Sequence, residues 1–173
     1  RKKTPMSETT LKDIAALLDS GKLSERDLSV LEAQLTKLEQ LKERELIQKR
    51  FMKFVERVWP SFIGGRHHDR MAAAFERVAN GECKRLIINM PPRHTKSEFA
   101  SYLLPAWFLG KYPGKKVIQT SHTAELAVGF GRKVRNLVDT ELYQSIFPEL
   151  HLQSDSKAAG RWNTSKGGDY FAI

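Results

Sequence analysis

Apolar positions recur at helical spacing through the first third of the chain. Leu11, Ile14, Leu17 and Leu18 form one stripe, as on the buried face of an amphipathic helix. Its start is either Thr4 followed by Pro5 at the first helical position, or Thr10 with Asp13 three residues on, a variant of the capping box. Ser20 and Gly21 close it, and Ser24 with Asp27 opens a second segment reaching about residue 58. There Leu28, Leu31, Leu35 and Leu38 alternate spacings of three and four, as in a coiled-coil seam, until Lys42 and Glu45 interrupt the register. Residues 1–58 are therefore expected to be a helical arm or hairpin. So short a seam favours a hairpin packed on its own domain; the rival reading is an arm that docks another protein.

The pattern changes at Trp59 and Pro60, because proline disfavours helical geometry in the residue before it. Residues 68–79 read as a helix with Met71, Phe75 and Val78 on one face, ended by Asn80 and Gly81. Leu86, Ile87 and Ile88 form a short continuous apolar run, the pattern of a strand buried on both faces. A polar loop over residues 91–96 follows, then a helix over 97–109 bent at Pro105. Residues 116–120 read as a second buried strand, 123–138 as a helix capped by Thr123, and 140–146 as a short helix. Residues 152–160 read as loop, and 161–165 and 170–173 as two strands. Buried strands alternating with helices predict an α/β domain with a parallel sheet, here over residues 59–173.

Composition narrows the class. The 173 residues carry a net charge of +9, with +3 over residues 1–60 and +6 over residues 61–173. That excess suits an acidic partner such as nucleic acid or a nucleotide, although many basic domains have neither. A single cysteine, Cys83, excludes a disulfide framework within these residues and suits a reducing compartment. The longest apolar stretch, residues 99–110, is too short to span a bilayer.

The most informative segment is the apolar run at 86–88 followed by Pro91-Pro92-Arg93-His94-Thr95-Lys96-Ser97. A strand that enters a short loop, with Lys-Ser opening a helix, is the setting of a phosphate-binding P-loop. Free amides and the dipole at a helix start favour an anion. Lys96 would oppose the β- and γ-phosphates, and Ser97 would offer its hydroxyl to a magnesium ion. The common pattern is G-x-x-x-x-G-K-[ST], and its two glycine positions are here Met90 and Thr95. A threonine cannot take a positive φ cheaply, and two prolines remove amide donors. The plain alternative is an ordinary strand-to-helix loop with a solvated lysine.

These residues resemble the variant phosphate loop of the large terminase subunit of tailed double-stranded DNA bacteriophages. The likeness extends over residues 59–68, 81–86, 121–127, 131–137 and 161–168, and as a whole covers roughly residues 50–173. The resemblance implies a P-loop NTPase fold of the ASCE, RecA-like kind. It also implies an ATPase that uses ATP and Mg2+ to drive double-stranded DNA into a prohead. The implied partners are the portal protein, the small terminase subunit and further copies in a ring, in the cytoplasm of the infected bacterial host. By the same resemblance Pro92, Arg93, His94, Thr95, Lys96 and Ser97 hold the nucleotide, with Lys96 and Arg93 catalytic. Phe62, His67 and His68 lie where the family places adenine contacts. No run of four apolar residues followed by paired acids, as a second nucleotide motif needs, is found in residues 1–173. The family places that strand just beyond the 170–173 segment, so these residues alone are expected not to hydrolyse ATP.

A second candidate lies at Ser121 and Thr123, at the end of one predicted strand and the start of a helix that also carries Arg132, Lys133 and Arg135. Ligands of open α/β sheets bind at such strand ends, and the segment resembles a DNA-backbone contact of related helicases. The plain reading is a cap and a solvated basic face. Two other functions stay open: a helicase-like P-loop motor, and a non-enzymatic helical interaction module with a degenerate loop.

Overall fold

The computed structural model describes residues 25–173 and divides the chain into two compact units, residues 1–43 and 44–173. The helix anticipated between residues 4 and 20, with its caps, and the Ser24 cap lie outside the described residues. Helix α1 comprises Glu25–Lys49. On it Leu28 and Leu35 are each 37% exposed, while Leu31 and Leu38 are half-buried. Among the described residues no helix is long and apolar enough to cross a membrane.

In the second unit the long helix breaks at Arg50, which has extended backbone (φ −112°, ψ 117°), and restarts as α2 (Phe51–Val58). No proline or glycine marks this break. Its cause is Glu76, on α3 (Arg66–Ala79). The Phe51 N–H donates to Glu76 Oε1 at 2.9 Å, and the Arg50 guanidinium pairs with the same oxygen at 3.2 Å. A carboxylate on the first amides of a helix satisfies donors that have no partner within the helix. The turn drives Phe51, Phe54 and Val55 into the core, where all three are fully buried.

Phe51 meets the rings of Phe75, Phe99 and Trp107 edge-on, with centroids 5.4, 5.6 and 5.5 Å away. Phe99 lies on a six-residue π-helical stretch, Glu98–Leu103, that continues into α4 (Leu104–Lys111). The wide turns precede Pro105. Proline has no N–H for the carbonyl four residues back and its ring would crowd that carbonyl, so the helix widens just before it. The buried Tyr143 hydroxyl donates to the Ala106 carbonyl at 2.8 Å and ties in α6 (Glu141–Ile146). Helices α5 (Ala124–Val138) and α6 start as anticipated: Thr123 and Thr140 accept from the amides of Leu126 and Tyr143.

The sheet departs from expectation. It has four strands in the order β1 (Lys116–Gln119), β4 (Asp169–Ala172), β3 (Arg161–Thr164), β2 (Leu152–Lys157). Only β1 and β4 run parallel; the other two pairings are antiparallel. The fold is thus mixed α/β rather than built on a parallel sheet. The hairpin strands β3 and β4 form as anticipated, and Trp162 and Tyr170, opposite each other, stack at 4.9 Å in the core. Residues 152–157, which read from sequence as loop, are strand β2. Their sequence, Leu-Gln-Ser-Asp-Ser-Lys, shows no apolar alternation.

The expected strand at 86–88 is irregular and unpaired, with Ile87 84% exposed. Strand β1 pairs only with β4, and Ile118 is 69% exposed. Neither run is buried on both faces, as Ile87 and Ile118 show, and among the described residues no strand pairs with residues 86–88 or with the outer edge of β1. Apolar content records a preference for burial and carries no information on what covers it.

Replacing Glu76 by alanine is expected to cost about 1–3 kcal/mol in unfolding free energy, since it leaves the Phe51 amide without an acceptor. Glu76→Gln, which keeps an acceptor, should cost much less. Urea denaturation of both variants checks this, and equal midpoints for Glu76→Ala and wild type would remove Glu76 as the cause of the break.

Candidate phosphate-binding site

Residues 91–97 turn the chain from the irregular apolar run into a helix whose first residue is Lys96. Two side-chain-bearing residues in the turn have left-handed backbone, Arg93 (φ 62°) and Thr95 (φ 57°). Thr95 thus takes up the conformation that a glycine would adopt freely at this position, at the cost the sequence reading attached to it. For a β-branched residue that geometry costs about 1–3 kcal/mol and must be held by its surroundings.

The holding contacts are visible. The Thr95 carbonyl accepts from the Phe99 N–H at 2.9 Å, which starts the helix. The Thr95 hydroxyl donates to the His94 carbonyl at 2.7 Å, and His68 Nε2 lies 2.6 Å from the same hydroxyl oxygen. His94 Nδ1 donates to the Pro92 carbonyl at 2.8 Å. His68 is buried, 5% exposed, against the rings of Phe62 and Phe99 at 4.8 and 5.0 Å.

The loop lines an open depression of about 560 Å3 formed by residues 90–98, within the range of small-ligand sites. Lys96 is half-buried, while Arg93 and Ser97 are exposed. Among the described residues neither Arg93 nor Lys96 has a carboxylate partner. Glu98, the acid nearest in sequence, is instead paired with Lys133 at 2.9 Å. Two cations without a carboxylate partner among the described residues, at the start of a helix, are an arrangement suited to an anion.

The three residues suggested for an adenine ring lie side by side but differ in exposure. Phe62 is half-buried and engaged by Trp59, His68 and Phe99, the core role that was its plain alternative. His68 is buried beneath the loop. His67 is exposed, with its ring 3.8 Å from that of His68 and 5.9 Å from that of His94. Among the described residues no group of three or more His, Cys, Asp or Glu could hold a metal. The Ser97 hydroxyl is the one loop group suited to magnesium carried on a nucleotide's phosphates.

At the second candidate, His122, Thr123, Leu126, Gly129, Phe130 and Lys133 are among the residues that line a separate depression of about 480 Å3. Arg132 and Arg135 do not line it. Arg132 is exposed, and Arg135 is held by Asn136 Oδ1 at 2.9 Å. Ser121 donates its backbone N–H to the Ile173 carbonyl at 3.3 Å. Lys133, paired with Glu98, links this helix to the residue after Ser97.

The His68–Thr95 contact is not legible in the sequence. Part of a signal is there: His68 shares a helical face with Met71, Ala72 and Phe75, all buried. Comparison of the chain with protein-family models, curated proteins and solved structures gave no match.

Burial lowers the His68 pKa below its ordinary 6.5; His67 and His94 push it the same way, and Asp69 opposes them. A base with a lowered folded-state pKa is protonated first in the unfolded chain, so stability present above pH 6.5 is lost as pH falls. The urea midpoint should therefore drop between pH 7 and about pH 5, and drop less in His68→Gln. Parallel pH profiles of the two proteins would rule this out.

Proposed function

We propose that this chain carries the nucleotide-binding part of a P-loop ATPase of the large-terminase kind. The observation that carries the reading is the turn at residues 91–97. It takes left-handed backbone at the glycine position of the motif and delivers Lys96 and Ser97 at the start of a helix. In this reading the ligand is ATP with Mg2+. The Lys96 ammonium neutralises β- and γ-oxygens, and the free amides of the helix start bond the phosphates. The Arg93 guanidinium, exposed and without a carboxylate partner among the described residues, reaches toward the γ-phosphate in bidentate fashion. The Ser97 hydroxyl meets the magnesium ion. The likeness of residues 59–68, 81–86, 121–127, 131–137 and 161–168 to terminases supports the wider reading, a motor that moves double-stranded DNA into a prohead. That reading brings the portal protein, the small subunit and a homo-oligomeric ring as partners.

Binding of a fluorescent ATP analogue with magnesium tests the site directly. Lys96→Ala is expected to weaken it by about tenfold or more, as one set of charge-assisted hydrogen bonds disappears. No binding by the wild-type chain would sink the proposal. Residues 1–173 alone are expected to release no phosphate from ATP at steady state. Magnesium-dependent release that disappears in Lys96→Ala would overturn that part.

For DNA, the logarithm of affinity should fall with the logarithm of salt concentration, as counterions are released. Reversing Arg132 and Arg135 to glutamate should flatten that dependence, by about one unit of slope for each phosphate no longer neutralised. An unchanged slope would exclude the second candidate as a DNA-binding surface.

A further inference from the structure

We infer that His68 is a positioning residue for the phosphate loop: its imidazole donates Nε2–H to the Thr95 hydroxyl and holds Thr95 in the left-handed backbone that a glycine would supply by itself. The inference rests on the nucleotide-site reading above and names how that site keeps its shape.

The protons can be assigned from the partners. The Thr95 hydroxyl has one proton, and it points to the His94 carbonyl at 2.7 Å. Toward His68 Nε2, 2.6 Å away, that oxygen can therefore only accept. Nε2 carries the hydrogen, and Nδ1 is a bare acceptor, buried and with no hydrogen-bond partner. The opposite tautomer would leave a buried N–H donor orphaned, which costs more than an unbonded lone pair.

The ring itself cannot swing away. Phe62 and Phe99 confine it at 4.8 and 5.0 Å, and the tilted His67 ring lies 3.8 Å from it. Its backbone N–H is bonded to the Gly65 carbonyl at 2.8 Å, at the start of α3. A rigid donor on a packed helix thus meets the strained residue directly before Lys96. A threonine at this position gains a hydroxyl for His68 to grip, in exchange for the conformational freedom of glycine.

The test is a double-mutant cycle read by nucleotide affinity. His68→Leu fills the space and removes the donor, and Thr95→Gly removes the strain. In the wild-type loop, His68→Leu should weaken binding of the ATP analogue about tenfold, the equivalent of a released left-handed threonine. On the Thr95→Gly background the same change should leave affinity equal to that of Thr95→Gly alone. His68→Gln, whose amide N–H can reach the same oxygen, should retain most of the affinity. Equal losses in both backgrounds, or none in either, would reject the positioning role and leave His68 as core packing.

A second measurement needs neither variant nor nucleotide. Nitrogen NMR of the wild-type imidazole at neutral pH should show a neutral ring protonated on Nε2, and the Nδ1–H tautomer would overturn the inference. If the wild-type chain binds no nucleotide, the site reading fails. The tautomer, and the same cycle run on unfolding midpoints, then decide the positioning role separately.

Discussion

Phe51 stands at the centre of the second unit, edge-on to Phe75, Phe99 and Trp107. Those rings belong to α3, to the π-helical stretch and to α4, so one side chain ties together the elements around the loop. Each aromatic pair adds about 0.5–1.5 kcal/mol beyond the area it buries. Phe51 reaches this position only because α1 and α2 are separate helices, and Glu76 caps the break between them. The buried aromatic group and the carboxylate cap support each other: without the turn Phe51 could not face the core, and without the core the turn would lack its partner on α3.

The phosphate loop is an outgrowth of that core. Phe99, two residues after Ser97, touches Phe51 on one side and Phe62 and His68 on the other. The helix that begins at Lys96 therefore has its rotation set from inside the molecule. His68, on the same aromatic group, meets Thr95. Strain at Arg93 and Thr95 is held by packing several residues away, which is how backbone outliers persist where a surrounding structure over-determines them. On the opposite flank, the Glu98–Lys133 pair is half-exposed and contributes little to stability. Its consequence is to leave Arg93 and Lys96 as the unopposed charges of the depression.

How far the sequence can be read depends on the range of the interaction involved. Thr123 is legible as a cap because a hydroxyl bonding an amide three residues on is a local event, and Thr140 makes the same contact at the start of the next helix. The β3–β4 hairpin is legible for the same reason, with Gly167 at φ 81° in its turn. Residues 86–88 and 116–119 carry the pattern of doubly buried strands without being so, because an apolar run does not name its neighbours. Strand β2 is invisible because its polar residues carry no alternation. The break at Arg50 leaves no local mark, since its cause lies 25 residues away from Phe51 on α3.

By itself the sequence determined the chemistry available at the candidate site: a lysine, an arginine and a serine close together after an apolar run, with threonine at a glycine position. It also determined the helices whose caps and stripes are local. Only the tertiary structure decided that Thr95 adopts the left-handed conformation, that His68 lies beneath it, and that Glu98 turns to Lys133 rather than to Lys96. The physical reason is the same in each case. A backbone strained by about 1–3 kcal/mol exists only if distant groups hold it. A contact across 27 residues has no signature in either segment until the core brings them together.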